Sequence, residues 1–365
     1  VNVRRIGLAL PAVIAVAAVV VIGAFAVTAP PLSRGPHGEK SADWHTVKLT
    51  KAQLAKVRAK HATAAIVFHY KGNDWSAAQE AGLKFEFKKL GIKVIAVTDA
   101  NFDAHKQAND IQTVLVKHPS IIVSIPVDPV SDAPAYQKAK SQGVKLVFMD
   151  NVPNGMRAGK DYVSVVSADN YGNGVASAKL MCQALHGSGK IATIYHAADF
   201  FVTKQRYQGF KDTITRSCKG VEIVAEKGIP GADFSGQAQT AASAILVQHA
   251  DLDGIWAVWD VPAEGVLAAL RAAGNTHTIV TTEDLGKNVA ISMASKGPVF
   301  GLGAQRPFDQ GVTEALLAGY SLIGKKAPSY VALSALPVTH TNVLQAWQQV
   351  YHSSAPSDVK KAYQK

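Results

Sequence analysis

The residues able to do chemistry stand just beyond short apolar runs. The run at 145–149 delivers Asp150 and Asn151, and the runs at 254–258 and 278–281 deliver Trp259 with Asp260, and Asp284. Asn73, Trp75 and Ser76 follow an earlier run by a few residues, and Arg206, Phe234 and Gln305 come after others. A short apolar run ending in polar side chains is the pattern of a buried parallel strand and its carboxyl edge, where open α/β sheets bind ligands. Carboxylates, amides and a guanidinium match hydroxyl groups, each of which both donates and accepts. Indole and phenyl planes match the C–H faces of a sugar ring. Together these residue types point to reversible capture of a small polyhydroxylated molecule, with no bond made or broken.

Other chemistries find less support. Asp150 and Asp284 as the acid and base of a glycosidase would need a separation near ~5 Å or ~6.5–9.5 Å and split pKa values, and no further motif calls for them. Asp150, Asp260 and Asp284 also suit helix caps, and Asp169 with Asn170 suits a cap or a hinge support better than ligand contact. The 12 histidines show no metal-ligand spacing and read as ordinary. Gly301 and Gly303 do not form a dinucleotide fingerprint, which would follow the first strand. No metal and no cofactor is expected.

The chain has 365 residues, 48% of them hydrophobic, enough for two domains with cores of their own. A net charge of +11 raises nucleic-acid binding as a function. The lysines are spread along the chain with no basic stripe interleaved with aromatics, so they read as a solvated surface, and no nucleic-acid partner is expected. Arg4 and Arg5 precede an uncharged run at 6–27. Residues 1–29 are therefore expected to be a signal peptide or an N-terminal membrane anchor, and the protein to be exported to the periplasm or the outer face of the cell membrane. Export would permit a disulfide between Cys182 and Cys218, but sequence gives no separation between them, and two buried thiols stay equally open.

The elements that must position these residues recur as strand then helix about every 25–30 residues. Strands are expected at 63–68, 91–97, 120–125, 145–149 and 162–166, followed by a helix over 171–185. The same order then restarts with strands at 190–195, 221–225, 254–258 and 278–281. A return run at 300–305, a helix at 308–318 and an extended tail over 329–343 close the chain. Two similar lobes of about five units are expected, each a parallel sheet wound on both faces. The chain should cross between them at 150–169 and again near Gln305 and Leu336.

Over residues 63–342 this sequence resembles the ribose/galactose-type periplasmic binding proteins, the solute receptors of sugar ABC importers. In that family an Asn and aromatics follow the first strand, where Asn73, Trp75 and Ser76 stand here. An Asp, usually followed by Arg, ends the fourth strand, matched by Asp150-Asn151. An Arg precedes Gly-Phe in the second lobe's first helix, matched by Arg206 ahead of Gly209-Phe210. Phe234 matches a loop aromatic, Asp284 a strand-end Asp, and Gln305 the Gln that opens a return crossing.

The family's Asn-Asp is Trp259-Asp260 in this chain, and its Asp-Arg is Asp150-Asn151. These departures imply a narrower, more apolar pocket and a solute other than ribose. The resemblance implies a type I periplasmic binding protein: an α/β fold of two doubly wound parallel-sheet lobes joined by a three-segment hinge. The lobes would comprise 61–167 plus 306–335, and 168–305 plus 336–352, with a tether and leading helix at 30–60 and a tail at 353–365. It also implies a small neutral sugar or polyol as ligand, an ABC permease as partner, a monomer, and no catalysis. A sensory role, presenting the bound form to a membrane partner, would use the same pocket. A repressor of the related fold would carry a helix-turn-helix ahead of residue 63, where the apolar segment stands instead.

Overall fold

The computed structural model describes Val1 and residues 31–364, so apart from Val1 the expected signal or anchor at 1–29 lies outside the described residues. Among the described residues no helix is long and apolar enough to cross a membrane. The strands, in chain order, are β1 (Thr63–Phe68), β2 (Lys93–Asp99), β3 (Ile121–Ser124), β4 (Lys145–Met149), β5 (Ser164–Ala168) and β6 (Ser188–His196). They continue as β7 (Gly220–Ile229), β8 (Gly254–Ala257), β9 (Ile279–Glu283), β10 (Val299–Ala304), β11 (Tyr330–Leu333) and β12 (Leu336–Thr339).

Two six-stranded sheets result, in the orders β11-β5-β4-β3-β1-β2 and β12-β10-β9-β8-β6-β7. One order maps onto the other strand for strand, so each lobe repeats the other's winding. The chain passes between sheets after β5, after β10 and between β11 and β12. Every pairing is parallel except β10 with β12, which is antiparallel. This corrects the expectation of wholly parallel lobes: only two residues separate β11 from β12, too few for a crossover, so β12 enters its sheet from the opposite end. Pro337 is tolerated there because β12 is an edge strand. The fifth strand also starts two residues later than expected, at Ser164, leaving Tyr162 packed against Phe148 ahead of it.

Burial on both faces explains the unbroken apolar runs. In β1, Ala65 and Val67 face a layer that includes Ile111 and Tyr136, while Ala64, Ile66 and Phe68 face another that includes Leu83 and Phe87. In β8, Ile255 and Ala257 join one layer and Trp256 the other. Alternate side chains thus enter cores above and below each sheet, the arrangement that a doubly wound strand requires.

Ahead of β1, residues 32–42 lie across both lobes. The Asp169 carboxylate accepts the amides of Leu32 and Ser33, Gln205 donates to the Arg34 carbonyl, and Ala42 bridges to Val331 at the edge of the first sheet. Asp169 also caps the helix Asn170–Ala184 through the Gly172 amide, the capping role the sequence assigned it. Cys182 and Cys218 form a disulfide with Cα atoms 6.1 Å apart, inside the span such a bond allows.

Candidate functional site

The carboxyl edges of the two sheets face each other across a cavity of about 300 Å³. Eight of the ten expected side chains line it: Asn73, Trp75 and Asp150 from the first lobe, Arg206, Phe234, Trp259 and Asp284 from the second, and Gln305 from a crossing. Ser76 and Asn151 do not. Ser76 lies inside the first turn of the helix Asp74–Leu90, fully buried, its hydroxyl donating to the Asn73 carbonyl. Asn151 lies outside it, and its amide donates to the Pro126 carbonyl. Asp260 lies beneath the cavity beside Asp284, accepting its neighbour Val261's amide.

Each polar group is fixed by its element. Asn73 caps the Asp74–Leu90 helix, its Oδ1 accepting the Ser76 amide at 2.9 Å, which leaves its amide nitrogen toward the cleft. Asp150 and Asp284 follow equivalent strands, β4 and β9, and both adopt the left-handed conformation, at φ 53° and 64°. Their backbone amides bond to equivalent neighbours, Val166 in β5 and Gly303 in β10, so the sheet holds a conformation that costs a non-glycine residue of order 1–3 kcal/mol.

Arg206 is set by a close helix crossing. Gly174 in Asn170–Ala184 and Gly209 in Phe201–Ser217 each abut a backbone carbonyl of the other helix, leaving no room for a Cβ. Four of the five guanidinium N–H groups are used within the protein. Nε donates to Asn170, Nη1 to the Val258 carbonyl and to Asp284 at 2.9 Å, and Nη2 to Asp284 at 3.2 Å. Gln305 donates to the same carboxylate at 2.8 Å and accepts from the Trp75 indole at 3.2 Å. From the other side, the Ser167 hydroxyl donates to Asp150 at 2.5 Å and receives the Asn170 amide. One hydrogen-bonded chain therefore runs from Asp150 through Ser167, Asn170, Arg206, Asp284 and Gln305 to Trp75, entering two of the three crossings.

Electrostatics follow from burial. Burial pushes Asp150 up to about 6, with Asp284 adding and the Ser167 hydroxyl and Arg206 opposing. Glu283, next to Asp284 but turned to Ser177 and Trp256, is pushed by burial up to about 8. Asp260 is held well above the carboxylate range by burial and the nearby Asp284. Burial works against the charge on Arg206, but the carboxylates beside it, Asp284 foremost, outweigh it. With three donors directed at its oxygens, Asp284 is neither a free base nor a nucleophile. The arrangement orients hydrogen bonds; it does not activate an attacking group.

Sequence reading missed much of the ring content. His69, Tyr70, Phe102, His196 and Phe200 also line the cavity, so two histidines taken as ordinary stand at the site. Burial lowers both: His69 stays neutral down to about 3, and His196 is shifted the same way. Phe102 packs into the second lobe's core layer and Phe200 into the first lobe's, so each lobe lends a ring to the other. The available signal was positional: His69 follows β1 as His196 ends β6, and Phe102 follows β2 as Phe234 follows β7.

Two equivalent sheets meeting at their carboxyl edges over a hydrogen-bonding cavity define a two-lobed solute receptor. Comparison with known proteins agrees: the chain belongs to the periplasmic binding protein domain family, whose model matches residues 64–326. It is 24% identical over 261 residues to the ribose import binding protein of Bacillus subtilis, covering 71% of this chain and 81% of that one. It is 25% identical over 264 residues to the D-apiose import binding protein of Actinobacillus succinogenes, covering 72% and 83%. Among solved structures, the Caulobacter myo-inositol binding protein bound to myo-inositol aligns with a TM-score of 0.68 at 26% identity, over 78% of this chain and 95% of that one.

Proposed function

We propose that this protein captures a small neutral sugar or polyol by closing its two lobes and delivers it to an ABC permease, working outside the membrane and without catalysis. The observation that carries the reading is the array at the hinge end of the cavity. Asp150 from one sheet faces Arg206, Asp284 and Gln305 from the other, all buried and pre-oriented by one hydrogen-bonded chain. Charge-assisted hydrogen bonds from such groups recognise neutral hydroxyls when water is excluded. The cavity, about 300 Å³, is of monosaccharide scale at the low end of ligand pockets. The Cys182–Cys218 disulfide supports an oxidising compartment. The ribose, apiose and inositol specificities in its relatives' names support the ligand class.

Isothermal titration of the purified protein with pentoses, hexoses and linear and cyclic polyols tests this. One-site binding of at least one of them, without turnover, is expected. No heat from any member of the panel would overturn it.

A further inference from the structure

Resting on that reading of the cleft, we infer that the solute is amphiphilic: a sugar or polyol hydroxylated along one edge and carrying an apolar group, such as a methyl in place of a hydroxymethyl, at the other. Two independent features of the cavity lead there.

The first is how little of the polar surface at the Asp150 end is uncommitted. Arg206 spends four of its five N–H groups inside the protein, and Asp284 receives three donors. Gln305 accepts from Trp75 while donating to Asp284, and the Asn73 carbonyl oxygen is taken by its own helix. What is left for a ligand at this end is the open side of Asp150, the Asn73 amide nitrogen and one N–H each of Arg206 and Gln305. That set serves one edge of a small molecule. A solute hydroxylated all round would carry hydroxyls beyond its reach, where the imidazole nitrogens of His69 and His196, the Tyr70 hydroxyl and the Trp259 indole N–H stand among ring faces; a hydroxyl that misses them loses its water without gaining a partner.

The second feature is the ring-lined wall. His69, Phe102, Phe234, His196 and Phe200 form a closed circuit of ring contacts, with successive centroids 4.8, 5.6, 5.3, 5.9 and 6.2 Å apart on returning to His69. Trp259 joins it through Phe234 at 4.7 Å. Two links, Phe102 to Phe234 and Phe200 to His69, cross between lobes, so the circuit exists only when the cleft is shut. Burial shifts both imidazoles toward the neutral form, which keeps charge out of this wall. A methyl or ring C–H face against the Phe102, Phe200 and Phe234 planes of this wall removes apolar surface from water, and a hydroxyl there does not.

Matched pairs titrated into the full-length protein test the inference: D-galactose with D-fucose, L-mannose with L-rhamnose, and D-ribose with 5-deoxy-D-ribose. In whichever series binds, the deoxy member is expected to bind at least tenfold more tightly, and Phe200→Ser, at a half-buried position, to shrink that preference to under threefold. Equal or weaker binding of the deoxy member in the series that binds would overturn the inference while leaving sugar capture standing, as would an undiminished preference in the variant. Heat from neither member of any pair, and from no other sugar or polyol, would overturn both.

Discussion

Phe102 and Phe234 meet edge to face across the cleft, their centroids 5.6 Å apart at 74°, Phe102 from the loop after the second strand of its lobe and Phe234 from the start of the helix after the second strand of the other. Phe102 makes this contact from a left-handed backbone at φ 58°, an unfavourable state for a phenylalanine that its packing must outweigh. Equivalent segments of the two lobes thus become each other's partners across the cleft, joined by the same rings that wall the cavity.

Removing that fastening should shift the lobes apart. Phe102→Ala is expected to weaken solute binding by about 1–3 kcal/mol, since an aromatic pair contributes about 0.5–1.5 kcal/mol beyond its buried area and the ring also packs on His69 and Tyr70. Titration calorimetry reads the affinity, and small-angle scattering of the solute-free protein reads a larger radius of gyration. An unchanged radius with unchanged affinity would remove the latch.

Arg206 and Asp284 are partners before they are ligand contacts. Arg206→Ala leaves a buried carboxylate without its cation and is expected to lower unfolding stability by about 3–5 kcal/mol, as well as binding. Arg206→Lys should recover little, because a single ammonium cannot make the forked pair together with the bonds to Asn170 and Val258. Denaturant titration of the three proteins checks this; a lysine variant as stable as the parent would contradict it.

Stability should fall as pH rises through neutrality. Burial pushes Glu283 up to about 8. In the unfolded chain it titrates near its ordinary ~4.3, so between these values the folded state holds a proton the unfolded state has lost, and stability declines with rising pH. The cost is absent below ~4.3 and fully present above the folded value. Asp150, raised to about 6, adds the same sign over a lower window. Glu283→Gln is therefore expected to flatten the fall between pH 6 and 9 and to be more stable than the parent at pH 9 but not at pH 4. Solute affinity should persist, because Glu283 faces Ser177 and Trp256 and not the cavity. Parallel pH profiles for the two proteins would refute the assignment.

The disulfide links residues 36 apart in sequence. Closing a loop of that length restricts the unfolded chain enough to stabilise the fold by about 2–4 kcal/mol. The double variant Cys182→Ser with Cys218→Ser should lose that amount in a denaturant titration while keeping its solute affinity, since neither residue lines the cavity. A matching loss of affinity would tie the bond to the site.

Much of this architecture is written in local pattern. Unbroken apolar runs such as Thr63–Phe68, short and rich in β-branched residues, read as strands buried on both faces, and their regular alternation with helices leaves few foldings besides two wound sheets. A polar residue just past such a run must stand at the carboxyl edge, which is why Asp150, Asp284 and Trp259 were placed from sequence. The winding also put Asn73 and Arg206 near that edge.

What sequence left open depends on contacts between distant segments. Whether a strand-end residue looks into the cleft or away from it depends on its backbone angles and on distant partners, and these separated Asp150, left-handed at φ 53° and bonded to Ser167, from Asn151, bonded to Pro126. Only two residues join β11 to β12, too short a link to reverse the chain, so the last strand enters the second sheet antiparallel. The pairing of Cys182 with Cys218, the four committed N–H groups of Arg206 and the ring circuit through Phe102 and Phe200 all arise between parts of the chain that are remote in sequence. Local periodicity records which face of an element is buried; it carries no record of what a side chain meets across a gap, because the angle at which two lobes close is set by their packing.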